Sequence, residues 1–449
     1  MEALYAKRLD DHLSELARHY ERSGNTVKAI EYLEKAGQQA ISRASHAEAI
    51  ALFTSALESL KALPETPERL KKELLLQLGL GSALQAIMGW SVPEVGQVFE
   101  KAHQLCQGLD ASPELVGALV GLIGFYSMSV QLTRAYELGE QLVSIAESEQ
   151  NPDWLLKAHM LVGMILGTMG EFASARAHLE RASSVDLSVR RSLYGAAALA
   201  WEAIVLVNLG YPDQALDRSR RAMALAREAS DPLAYVNAWT NVWWVNHWHN
   251  DGQSALDEAE ELLHFAVDHG FQWYSAFATF RRAQALAKLN RPEKGLTQIR
   301  DSLAAIRGSG NADFSIGYAA LAEALLKAGR GTEGIGVVAE GLEASDRNHD
   351  AESKAELWCI KGHLLLLQGQ PRCEHEAENS FRHAIEIARH QRAKWWELRA
   401  TVSLTRLLTK QGRHDEARAM LAEIYNWFTE GFDTADLKEA KALLDELTV

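Results

Sequence analysis

Few residues in this chain stand at spacings that chemistry could use. His375-Glu-Ala-Glu-Asn379 comes within one residue of the H-E-x-x-H pattern, which sets two zinc-binding imidazoles on one helix face, but Asn occupies the second ligand position. It reads as a solvated helix start. Sixteen histidines are present but scattered. His247 and His249 lie about 200° apart around a helix and would not share a metal. Cys106, Cys359 and Cys373 are the only cysteines and have no C-x-x-C spacing, which excludes a disulfide scaffold or a cysteine zinc site and fits a reducing compartment. No G-x-x-x-x-G-K-[ST] loop occurs to cradle nucleotide phosphates. The nearest stretch, Gly329-Arg-Gly-Thr-Glu-Gly334, lacks the Lys and reads as an inter-helix turn. A G-x-S-x-G nucleophile turn is missing as well. These residues predict no enzyme, no cofactor and no metal site.

One group rises above that background. Asn237, Trp239, Trp243, Trp244, His247 and Trp248 fall in one short stretch, and Phe271, Trp273, Tyr274, Phe277 and Phe280 follow in the next. Such rings can fill wide gaps between long helices. They can also stand as anchors, ringed by polar groups, in a binding site. The two readings differ in which way the rings face, and that is set by the elements carrying them.

Those elements repeat. A short turn signal, often with Gly, precedes a small residue that opens a new amphipathic run. The anchors are Val95, Ala135, Ala175, Ala215, Ala255, Gly295, Gly334, Ala377 and Ala417, a forty-residue period that falls one short at Gly334 and runs three long at Ala377. The longer spacing is assigned to a loop insertion at Gln370-Pro-Arg-Cys-Glu-His-Glu376. Each unit reads as two helices separated by turns such as Met169-Gly170-Glu171-Phe172 and Leu209-Gly210-Tyr211-Pro212, where Gly caps one helix and Pro can open the next. Second helices carry small or apolar residues at i, i+4 and i+7, as in Ala175, Leu179, Ala182 and Ala377, Phe381, Ala384. Ala29, Leu33, Ala36 and Ala49, Phe53, Ala56 keep that spacing near the N-terminus, although Ala29 and Ala49 stand only half a period apart. No sustained period-2 alternation occurs, so strands are not expected.

The order turn, then Ala-x-x-x-Phe-x-x-Ala, resembles the tetratricopeptide repeat, and its first-helix signature shows in Val162-Gly163-x-x-Leu166 and Trp358-x-x-Lys361-Gly362-x-x-Leu365. The period is longer than the family's standard unit, which points to longer helices. The expected fold is all-α, a right-handed superhelical solenoid of antiparallel helix pairs. More narrowly, the chain resembles the C-terminal helical array of bacterial signalling ATPases, the adenylate-cyclase-associated predicted ATPases and, more distantly, the maltose-activator regulators. The segments carrying this likeness are Leu16-Ala-Arg-His-Tyr20, Ala29-Ile-Glu-Tyr-Leu-Glu-Lys-Ala-Gly37, and the closing run from Asn426 to Glu446. The broken period near the N-terminus and the linker Leu63-Pro-Glu-Thr-Pro67 set a helical adaptor at 1–63 before the array at 64–433, and Thr434 opens a polar capping helix at 434–449. The resemblance implies a sensory or regulatory arm for an upstream ATPase or cyclase module.

In arrays of this kind first helices line the concave surface. The anchor phase then turns Asn237, Thr240, Trp244, His247, Trp248, Phe277, Phe280, Gln284 and Lys288 to the groove, with Asn208, Met160 and Met164 extending it and Trp243 packing inward. The expected partner is a protein or peptide in that groove; the alternative is a small-molecule sensor, with the aromatic cluster closed into a pocket. A closed cavity favours the second and an open channel the first. The acidic run Asp257-Glu-Ala-Glu-Glu261 reads as a solvated outer face.

A formal net charge of −14 argues against a nucleic-acid binder, which needs clustered Lys and Arg. The stretch from Leu115 to Thr133 carries no charge and includes Gly117-x-x-x-Gly121, and it is long enough to span a bilayer. Its polar residues and its place in the repeat argue for a buried helix instead. No secretory signal is read at the N-terminus, so the expected location is cytoplasmic.

Overall fold

Eight of the nine prolines are the first residue of a helix: Pro67, Pro93, Pro113, Pro152, Pro212, Pro232, Pro292 and Pro371. At that position the missing N–H costs nothing, because the first-turn donors have no intrahelical acceptor, and the fixed φ is already helical. Side-chain caps complete several of these starts. Asn151 accepts from the backbone N–H of Asp153 at 3.0 Å and of Trp154 at 3.2 Å. Asn151→Ala should therefore destabilise its helix by about 1 kcal/mol, read as faster amide exchange at Trp154 and Leu155 with little change elsewhere.

The structure, a computed structural model, describes residues 9–107, 111–249, 252–289, 291–308 and 314–447. Among these residues there are helices and connecting turns, and no strand. A lone α1 (Leu13–Arg22) precedes the pairs α2 (Thr26–Ser42) with α3 (His46–Leu60), α4 (Pro67–Met88) with α5 (Pro93–Leu105), α6 (Pro113–Met128) with α7 (Leu132–Glu149), and α8 (Pro152–Thr168) with α9 (Phe172–Ser183). A one-turn α10 (Leu187–Arg190) intervenes. Then follow α11 (Leu193–Leu209) with α12 (Pro212–Glu228), α13 (Pro232–His249) with α14 (Gly252–Asp268), α15 (Gln272–Lys288) with α16 (Pro292–Gly308), and α17 (Ser315–Lys327) with α18 (Gly331–Asn348). The last pairs are α19 (Lys354–Leu366) with α20 (Pro371–His390) and α21 (Lys394–Lys410) with α22 (His414–Tyr425), closed by α23 (Ala435–Glu446). This is an all-α solenoid of antiparallel helix pairs, as the forty-residue period predicts.

The repeat's Ala-x-x-x-Phe pattern has a steric cause. Phe99 of α5 sits between Gly81 of α4 and Gly121 of α6, where an added Cβ would stand 2.6 Å and 2.2 Å from its ring. Phe53 of α3 is seated the same way between Gly37 and Gly79, and Phe381 of α20 rests on Gly362. A glycine on these first helices thus admits the bulky residue of a second helix. Gly121, half of the membrane-like GxxxG, serves this packing, and no described helix is long and apolar enough to cross a membrane.

Three expectations shift. The extra residues after Gln370 form no loop but lengthen α20, which starts at Pro371. Ala29 and Ala49 stand half a period apart because they sit on the adjacent helices α2 and α3, and α2 packs on α1 as well as on α3. Within the acidic run of α14, Glu258 turns inward and accepts from Trp239 Nε1 at 3.1 Å and Asn246 Nδ2 at 3.0 Å.

Sequence-distant parts of the coil also touch. The Ala351 and Glu352 N–H groups, just before α19, donate to the Thr168 carbonyl at the end of α8, at 3.0 and 3.1 Å. Trp396 Nε1 of α21 donates to Asn208 Oδ1 of α11 at 2.9 Å across 188 residues. Glu430 accepts from the N–H of Asp213 and Gln214 at the start of α12, 217 and 216 residues away. These contacts need close backbone approach. Gly431 (φ +76°) presses on Pro212, with an added Cβ only 2.2 Å from its ring, and Gly210 (φ +92°) abuts Trp427 and Lys394.

Candidate functional site

Because the coil closes on itself, its concave face becomes an interior. A cavity of about 160 Å³ lies there, walled by first helices. On α13 the wall residues are Asn237, Thr240, Asn241 and Trp244, spaced i, i+3, i+4, i+7, while Trp243 faces the other way, fully buried, its Nε1 donating to the Ala255 carbonyl at 3.3 Å. From α15 come Trp273, Tyr274, Phe277 and Arg281; from α11, Tyr194, Trp201 and Ile204; and from α8, Met160, Met164 and Thr168. Trp90, in the turn after α4, lies flat on Gly124 of α6, where any side chain would collide with its ring. The opposite wall belongs to the other part of the coil: Phe314, Ile316 and Glu352.

Trp244 and Ile316 also border two smaller chambers. One, of about 30 Å³, meets Asn208, Glu352, Glu356 and Trp396. The other, of about 60 Å³, is polar and lined by Gln284, Lys288, Glu323, Glu356 and Arg399. The interior therefore grades from an aromatic end to a charged one.

Arg281 is the unusual wall residue. Its guanidinium carbon stands 3.5 Å from the centre of a Trp244 ring, 4.6 Å from Phe277 and 4.9 Å from Trp243, and the residue is 1% exposed. Nη1 donates to Gln284 Oε1 at 3.3 Å, and the buried Nε has no partner. Burial pulls its pKa well below the usual arginine range, with Glu352 opposing. A guanidinium stays protonated in proteins, so the shift measures how poorly this charge is compensated. Glu352 is pushed up to about 8, first by burial and then by Asp350, with Arg281 pulling it back. Glu356 is likewise pushed up to about 8 by burial and Glu323, against Arg399. Burial also acts on Glu323, but Lys327 at 2.9 Å, with Arg399 and Lys288 behind it, outweighs burial and holds its carboxyl low. These acids keep some accessible surface although protein surrounds them, because they border interior chambers.

Most residues expected in the groove can be placed. Asn237, Thr240, Trp244 and Phe277 line the aromatic chamber, as do Met160 and Met164. Gln284 and Lys288 line the polar one. Asn208 borders the smallest chamber, but its Nδ2 donates to the Ile204 carbonyl and its Oδ1 accepts from Trp396, so it ties the coil together. Phe280 is a correction. It is 2% exposed within the core formed with Leu296, Ile299 and Leu325, because its place about 60° around α15 from Phe277 turns it from the cavity into the pair interface. His247 and Trp248 lie on α13, with side chains outside the described residues. Residues from both parts of the coil wall the groove.

Arg281, Tyr194, Trp201, Trp90 and Glu352 escaped sequence reasoning. Arg281 left a signal: it follows Phe277 by four residues, on the same face of the helix. Glu352 left none, because it comes from another part of the coil. Elsewhere, His363 Nε2 lies 2.9 Å from Ser403 Oγ, but that hydroxyl donates to the Arg399 carbonyl at 2.9 Å, so the imidazole donates to it and does not activate it. His375 and Asn379 sit exposed on α20. Among the described residues no three His, Cys, Asp or Glu side chains gather as a metal site.

The family match agrees with the helix-pair architecture. A tetratricopeptide repeat family model matches residues 196–221 and 398–423, which lie on α11–α12 and α21–α22. No curated protein sequence matches the chain. Among solved structures, the apo form of RapI shares 13% identity with a TM-score of 0.47, covering 62% of this chain and 97% of that one. A Rap protein complexed with competence and sporulation factor shares 12% identity at 0.45, covering 94% and 99%. A STAND signal-transduction ATPase with a tetratricopeptide repeat sensor, from Pyrococcus horikoshii, shares 14% at 0.40, covering 98% and 74%. The class is a tetratricopeptide-type helical solenoid with a cavity between the two parts of its coil.

Proposed function

We propose that this chain is a non-catalytic sensor that takes a small molecule into its aromatic chamber. The observation that supports this over a peptide groove is closure. The chamber is walled on one side by α8, α11, α13 and α15 and on the other by Phe314, Ile316 and Glu352, so a compact ligand there is held from both sides. A ligand there touches both parts of the coil and adds its contacts to the Thr168–Glu352 closure. Binding energy gained only in the closed form shifts the coil toward it. By resemblance, the element that reads this change is a signal-transduction ATPase module joined through the N-terminal helices, with residues 1–63 as adaptor, 64–433 as array and 434–449 as cap. This relay rests on family analogy.

The test uses 2-phenylethanol, a neutral molecule of one aromatic ring, since an apolar cavity of about 150 Å³ holds benzene. Trp90, Trp201, Trp244 and Trp273 all border the chamber, so intrinsic fluorescence should change saturably, with Kd on the order of 1 mM. Amide exchange at Ala351 and Glu352 should slow. Ala197→Phe, which fills the chamber from α11, should abolish both responses while leaving helicity unchanged. Equal responses in the two proteins would place binding elsewhere.

A further inference from the structure

Arg281 is a buried cation without an ion pair among the described residues. One long hydrogen bond to Gln284 and one orphaned Nε are poor compensation for a charge removed from water. The rings of Trp244, Phe277 and Trp243 hold the guanidinium in place. They stabilise a cation but do not neutralise it. A buried arginine of this kind either fills space or awaits a counter-charge. Its position decides between these, because it stands in the wall of the chamber, where a ligand can reach it.

We propose that the chamber binds a small monocarboxylic acid with an aromatic-sized apolar body, its carboxylate on Arg281. The guanidinium fork matches a carboxylate in plane and spacing. The body meets Met160, Met164, Trp201 and Trp273. A single negative charge is specified because the wall offers Arg281 together with the Glu352 carboxyl, behind which Asp350 and Glu356 stand. A dianion such as a phosphate monoester would face those acids with one cation to offset them. The polar chamber beyond Trp244 does not relieve this, since Lys288 and Arg399 there are matched by Glu323 and Glu356.

This inference rests on the chamber reading above, and the experiment separates the two. Phenylacetate and 2-phenylethanol share a ring and differ in the charged group. Both are titrated into the full chain and into Arg281→Met, a change that replaces a buried charge by an apolar side chain of similar length and is often neutral or stabilising. Circular dichroism and thermal unfolding confirm that the variant is folded. The wild type should bind phenylacetate at least about tenfold tighter than 2-phenylethanol, as expected for a charged hydrogen bond in a dry site. In Arg281→Met that preference should vanish, with phenylacetate weakened at least about tenfold and 2-phenylethanol held or improved. Equal affinity of the wild type for both probes, or an unchanged phenylacetate affinity in the variant, overturns the carboxylate assignment while the chamber stands. If neither probe binds the wild type, both readings fall.

Discussion

Phe99→Ala should be among the most damaging single substitutions in the chain, costing about 3–5 kcal/mol locally. Phe99 is 2% exposed and fills the seat made by Gly81 and Gly121, so truncation leaves a ring-sized void among α4, α5 and α6. Gly121→Ala should also destabilise, by about 1–3 kcal/mol, because its Cβ would stand 2.2 Å from the same ring. The two losses should not add. Without the ring the new methyl has room, and Ala favours the helix over Gly by about 1 kcal/mol, so Gly121→Ala should turn neutral or stabilising in the Phe99→Ala background. Hydrogen exchange across α4–α6 measures the cycle, since solenoid stability is a sum of local terms. Additive losses would mean that Phe99 and Gly121 do not share this contact.

The second large effect is a fall in stability as pH rises. Glu352 and Glu356 are both pushed up to about 8 in the folded chain, from about 4.5 when exposed. Between those values the folded state keeps protons that the unfolded state has released, so raising pH favours unfolding. Asp350, raised to about 6, acts the same way at lower pH. Histidines have the opposite sign. Burial lowers His159, with His178 beside it, and His363, each to about 4, so acid favours the unfolded state until about 6.5. The two slopes oppose each other below about 6.5, and only the carboxyl slope remains above it. Stability should therefore drop between about pH 6.5 and 8, by an amount on the order of 2 kcal/mol. Glu352→Gln should remove part of the drop and the double variant with Glu356→Gln nearly all of it, read as thermal midpoints across the range. Glu323 lies outside this window, because its carboxyl is held low. An unchanged pH profile in the double variant would assign the drop to other groups.

The helix pairs were legible because their causes are local. Proline at a helix start, glycine after a helix end and apolar residues at i, i+4 and i+7 act within one or two turns of chain, so a forty-residue period carries them intact. The phase of that period also placed Asn237, Thr240, Trp244 and Phe277 on one wall and turned Trp243 inward. It misplaced Phe280, because a step of three residues leaves it only about 60° around the helix from Phe277, and the boundary between the concave face and the pair interface passes between them. It also missed α20, where extra residues lengthened a helix, since residues added at a helix start need not make a loop.

Sequence alone determined that this chain is a helical array, which helices bear the aromatic rings and that the familiar catalytic motifs are missing. Tertiary structure alone decided that the concave face is closed. That outcome depends on small rotations between successive pairs, which no single repeat encodes and which accumulate until Thr168 meets Glu352 and Asn208 meets Trp396. The same accumulation brings Glu352 opposite Arg281, converting an arginine on a helix face into the charged wall of a chamber.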